Sequence, residues 1–103
     1  GLTLNHRGES ISSRPLSASE PVSGQMTLVA WNYTLTGPTP AGLQVRLCSL
    51  TRCAEIEGQR GTTQAFNGVS AQEPLRFIWE VPGGGRLIPA LKVQRNEVLV
   101  NYR

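Results

Sequence analysis

Residues 26–36, MTLVAWNYTLT, alternate with a period of two along their whole length. Val29, Trp31, Tyr33 and Leu35 fall on one face; Leu28, Ala30, Asn32 and Thr34 fall on the other. Successive side chains of an extended chain point to opposite sides, so only a strand gathers these apolar residues on one surface. The period returns in residues 43–48, where Leu43, Val45 and Leu47 align. In residues 74–81, Leu75, Phe77, Trp79 and Val81 oppose Arg76, Ile78 and Glu80. A shorter run, 53–57, sets Ala54 and Ile56 against Glu55 and Glu57. Residues 86–93 and 96–103 read as two further strands, the last with Val98, Val100 and Tyr102 in register. No segment sustains a helical period.

Turn residues punctuate these runs. The chain of 103 residues carries 11 Gly and 7 Pro. GPTPAG stops the first strand at residues 37–42. Asn67-Gly68 after an aromatic residue predicts a hairpin turn within residues 62–69. Pro89 in mid-run marks an edge or a bulged strand. Residues 8–25 are Ser-rich and read as loop, with a short edge strand around residues 10–13. The expected architecture is all-β: one domain over residues 1–103, a small antiparallel β-sandwich of about seven or eight strands. A small barrel is the alternative. Trp31, Tyr33, Phe77 and Trp79 are the expected core aromatics.

Both cysteines lie in CSLTRC, Cys48 and Cys53. The spacing is not that of a C-x-x-C redox pair, and it supplies only half of a tetrahedral zinc site. It suits a hairpin whose last cross-strand pair is Cys–Cys, close enough for a disulfide. The expectation is a structural disulfide in an oxidising compartment; two free thiols in a hairpin are the alternative.

The catalytic inventory is thin. The chain has no Asp and one His, so no Ser–His–Asp triad can form. His6 sits in a polar stretch near Glu9 and reads as a surface residue. Glu55 and Glu57 share one strand face beside Arg52 and Arg60, which reads as a solvated, salt-bridged edge rather than an acid–base pair. Asn32-Tyr33-Thr34 matches a glycosylation pattern but lies inside the strongest strand, so it reads as chance. No cofactor or metal is called for, and no run approaches the length of a membrane span. Net charge is +3, but the basic residues are spread from Arg7 to Arg103 without a stripe, which argues against nucleic acid.

VPGGGR, residues 81–86, offers successive glycines before an arginine. A phosphate cradle needs a helix N-terminus behind it. RLIPALKV follows instead, with a proline at its fourth position. Gly83, Gly84 and Gly85 therefore read as a tight reversal between two strands. Arg86, Pro89 and Lys92 are the candidate partner contacts, with Pro89 marking an edge to which a partner strand could add.

Two long blocks carry a likeness. GPTPAGLQVRLC and WEVPGGGRLIPALKV, within stretches that span nearly the whole chain, closely resemble the FlhE family of flagellar-operon proteins of enteric bacteria. The resemblance implies a precursor with a secretion signal, a periplasmic location, and a leader and first mature residues that precede the sequence here. It implies a non-enzymatic accessory of flagellar assembly and type III export, acting as a chaperone or as a factor that limits proton leak through the export apparatus. The expected partner is a flagellar export, rod or hook component, met by a monomer or weak oligomer. The rival reading is a peptidoglycan-binding sandwich, which would require Trp31 and Trp79 to be exposed. A minor hydrolase is held back by the missing Asp and the lone His.

Overall fold

The computed structural model describes residues 1–103. Eight strands form in chain order: β1 Leu2–His6, β2 Ser10–Ser12, β3 Met26–Leu35, β4 Gln44–Cys48, β5 Cys53–Ile56, β6 Arg60–Thr63, β7 Arg76–Glu80 and β8 Arg86–Tyr102. They make two four-stranded antiparallel sheets, β1-β8-β3-β6 and β2-β7-β4-β5. There is no helix. The all-β antiparallel sandwich read from the period-two pattern is therefore the fold. Of the seven connections only β4 to β5 joins strands paired in one sheet; the other six cross between sheets.

The core is one cluster of 17 buried residues between the sheets. Val29, Trp31 and Tyr33 face inward from β3; Leu75, Phe77, Trp79 and Val81 do so along β7 and its flanks. A register shift between Met26 and Val29 turns Met26 inward as well, out of phase with the later alternation. Tyr33 meets Phe77 and Trp79 edge-on, with centroids 5.8 and 5.5 Å apart, and Phe77 stacks on Trp79 at 5.2 Å. Such pairs add to burial because ring edges are positive and ring faces negative. The Trp79 indole N–H has no hydrogen-bond partner, so packing alone holds that ring. Trp31, also in the core, stands apart from these three rings. It lies opposite Gly61 on β6, where a Cβ would come within 2.7 Å of its ring, and its indole N–H donates to the Gly58 carbonyl at 3.2 Å.

Several expectations differ from what folds. The two C-terminal runs are one continuous strand of 17 residues, β8. Gln94 and Arg95 pass through as an irregularity rather than a turn: Thr34 pairs with Arg95 but Leu35 with Val93. Asn67-Gly68 forms a turn but no hairpin. The Asn67 and Val69 amides donate to the Gln64 and Phe66 carbonyls, and the chain then runs back beside Met26 instead of β6. The turn drives Phe66 fully into the core, a contribution that strand alternation did not indicate. Residues 83–85 do not reverse the chain within a sheet, because β7 and β8 belong to different sheets; they form a corner. β1 went unpredicted, since LTLNH has only two apolar residues and gains its place by pairing with β8. The short edge strand near residue 10 is β2.

Candidate functional site

The corner at residues 83–85 is built by two crossings stacked on each other. Residues 7–9 carry the chain from β1 in one sheet to β2 in the other; residues 81–85 carry it back from β7 to β8. The Gly8 amide donates to the Val81 carbonyl at 2.8 Å and the Arg7 amide to the Gly85 carbonyl at 2.9 Å. Gly8 takes φ 85°, and a Cβ there would stand 2.6 Å from the Gly83 carbonyl oxygen. The approach is possible only without a side chain, and positive φ costs glycine little. The glycine loop is thus occupied by backbone from the β1–β2 crossing, which gives it a structural task.

Arg86 opens β8 beyond this corner and is exposed, paired in register with His6. Between that pair and Leu4–Leu91, β1 contributes only Asn5 while β8 contributes residues 87–90. The excess bulges outward at the cis Ile88–Pro89 bond and leaves Ile88 80% exposed. Here β1 is the sole strand neighbour of β8, so Pro89 occupies a locally one-sided, bulged segment. Pro38, Thr39, Pro40 and Ala41 share with Leu87, Ile88, Pro89 and Arg7 the lining of a hollow of about 200 Å³. Lys92 is exposed further along the strand, opposite Thr3. The structure thus places Arg86, Pro89 and Lys92 along one strand, with Arg86 next to the Gly83 corner.

Cys48 and Cys53 form a disulfide across the last pair of the β4–β5 hairpin, with Cα atoms 4.0 Å apart. The loop they close is tied down. The buried Ser49 hydroxyl accepts from the Thr51 and Arg52 amides, and the Thr51 hydroxyl reaches Glu73 at 3.0 Å. The Arg52 guanidinium donates to the Ala65 and Asn67 carbonyls at 2.9 and 3.1 Å, gripping the turn that inserts Phe66. Arg52 is therefore no partner for Glu55 or Glu57. The expected salt-bridged edge does not form: neither Arg52 nor Arg60 reaches Glu55 or Glu57, and the Arg52 guanidinium is spent on backbone carbonyls. Glu55 and Glu57 line an open hollow of about 450 Å³ beside Tyr33. Burial raises the Tyr33 phenol above its ordinary pKa. The exposed His6 side chain lies 3.9 Å from the Glu9 carboxylate. Asn32 donates to Glu97 across the β3–β8 pair, so the glycosylation-like triplet is engaged within the sheet.

The family model described as Flagellar protein FlhE matches residues 1–103. The chain belongs to the FlhE family. It is 76% identical to the Flagellar protein FlhE of Escherichia coli (strain K12), over all of this chain and 79% of that protein. It is 72% identical to the Flagellar protein FlhE of Salmonella typhimurium over the same shares. Identity to the Yersinia enterocolitica Flagellar protein FlhE is 38%, over all of this chain and 76% of that protein. A solved structure titled Crystal Structure of FLHE superposes with a TM-score of 0.97 at 72% identity, covering 100% of this chain and 90% of the other. The resemblance read from the WEVPGGGRLIPALKV block is therefore membership, and this FlhE-family chain shares the solved fold.

Proposed function

We propose that this FlhE-family chain is a non-enzymatic accessory of flagellar assembly and type III export that acts in the periplasm by holding a flagellar protein. Membership in the family supports a role in the flagellar system. The disulfide hairpin fits an oxidising compartment. No helix is long and apolar enough to cross a membrane. The observation that carries the binding reading concerns one strand. Of the four large hydrophobic residues left exposed, Ile88, Leu99 and Tyr102 all lie on β8, at 80, 66 and 49%. Arg86, Pro89 and Lys92 lie on it too. Alternation sets Leu99 outward and Tyr102 on the other face with Val98 and Val100, so the open side chains of Ile88 and Leu99 are what support a docking surface.

The partner is a rod, hook or export component. A photo-reactive residue at Ile88 or Leu99, in flagellated cells, captures it; the same residue at Leu50, exposed on the β4–β5 loop, does not. Equal capture from all three positions, or none, refutes the assignment. A chaperone role predicts binding to rod or hook segments on a peptide array. A leak-limiting role predicts acidified cytoplasm in cells lacking the protein. The peptidoglycan reading gains no support: Trp31 and Trp79 are 8 and 0% exposed and offer no platform for a sugar ring.

A further inference from the structure

The sheet that contains β8 has a notch. β1 accompanies β8 only as far as Leu2, opposite Val93. From there to the end β3 is its one strand neighbour, up to Met26 opposite Tyr102. Residues 94–102 of β8 therefore have a free edge on the side that β1 occupies earlier. Backbone groups on such an edge lack partners and accept an added strand. The facing sheet has no matching gap. Beyond β2 its chain keeps to β7, with Ser13 bonded to Phe77 and Leu16 to Leu75. Between this continued edge and β8 lies an apolar concavity of about 480 Å³, lined by Pro15, Leu16, Ala71, Val98 and Val100. Leu91 and Val93, which have β1 beside them, are 1 and 2% exposed. Val98 and Val100 face the same interior from the same strand but stay half-buried.

Gly1 stands at the head of the notch. A Cβ on it would lie 3.3 Å from the Val93 carbonyl oxygen, so its backbone is still against β8. β1 runs antiparallel to β8, so any residue attached before Gly1 is aimed along the free edge toward Tyr102. The solved FlhE chain is longer: about a tenth of it lies outside the match, close to the length of one strand such as the ten-residue β3. We propose that the residues preceding Gly1 in longer FlhE-family chains continue β1 along residues 94–102 of β8 and close the sandwich over Val98 and Val100. Such a segment needs an extended conformation with alternate apolar side chains over the concavity. It also needs free amides in its middle, which excludes proline there.

The test compares two disulfide-intact proteins: the chain that begins at Gly1, and the same chain carrying the preceding segment of a longer FlhE-family relative. Amide hydrogen exchange is followed along β8, with the amides bonded to β3 as the control for global folding. Free-edge amides in residues 94–102 should exchange at least ten-fold more slowly in the longer chain. Nuclear Overhauser contacts should join the added residues to Val98 and Val100, and the protein should remain a monomer at every concentration. Equal exchange in the two proteins overturns the proposal. So does protection that grows with protein concentration, which assigns the edge to a second copy. Protection that appears only with an added flagellar peptide assigns it to a partner and overturns it equally.

Discussion

Gly8 and Gly85 share the same backbone angle, φ 85°, but not the same surroundings. A Cβ at Gly85 meets nothing within 4 Å, whereas one at Gly8 meets the Gly83 carbonyl oxygen at 2.6 Å. Replacing each by Ala therefore separates conformational cost from contact cost. Holding a non-glycine residue at such an angle costs about 1–2 kcal/mol. That term is common to both variants. At Gly8 the obstacle is main chain, and it cannot swing away. The Gly8 amide bond to Val81 and the Arg7 amide bond to Gly85, at 2.8 and 2.9 Å, clamp the two crossings on either side of the contact. Forcing in a methyl group adds about 1–3 kcal/mol of overpacking strain. Gly8→Ala should thus lose about 2–5 kcal/mol and Gly85→Ala about 1–2. For a domain of this size each kcal/mol shifts Tm by about 4–8 °C. Urea denaturation without reductant, monitored by tryptophan fluorescence, measures the difference directly. If the two variants agree within about 0.5 kcal/mol, the stacked corner is not rigid and the argument from close approach fails.

Gly61→Ala should destabilise by about 1–3 kcal/mol, because its methyl group would enter the Trp31 ring; combining it with Trp31→Phe should lose less than the two separate costs, and strict additivity in thermal melts would refute the contact. The double variant Cys48→Ser, Cys53→Ser should lose about 2 kcal/mol and still fold, since the closed loop is short; a chain left unfolded in the absence of denaturant would show that the hairpin cannot form without its staple. Burial raises the Tyr33 pKa, so the folded state holds that proton more tightly than the unfolded chain. Its contribution to stability is full below the ordinary tyrosine pKa of about 10 and is lost as pH rises from there through the folded pKa. Tyr33→Phe should flatten that decline, and an unchanged slope of stability against pH in this alkaline range would contradict the assignment.

The period-two runs were enough to define β3, β4, β5 and β7 and the inward faces of each. Strand alternation is local, and burying one face against another sheet is the only way to remove those rows of apolar side chains from water. The hairpin around CSLTRC was legible for the same reason, since both cysteines lie at its last pair. The candidate contacts Arg86, Pro89 and Lys92 were legible only as residue types near a proline. That they share a strand with Ile88, Leu99 and Tyr102 follows from β8 running unbroken through residues 94 and 95, where a bulge absorbs what reads locally as a break.

The amino-acid sequence by itself determined the class of the fold, the position of the staple and the membership in a flagellar family. All of these rest on neighbours along the chain or on matched blocks. The tertiary structure alone decided which strands pair, that Phe66 plugs the core from a turn, and that Arg52 serves that turn rather than Glu55 or Glu57. It also decided that the glycine corner is filled by Gly8 and that β1 lies along β8 between Val93 and Arg86. Each of these depends on contacts between residues distant in sequence. The local pattern of a strand states which face turns inward; it does not state which strand, if any, lies alongside.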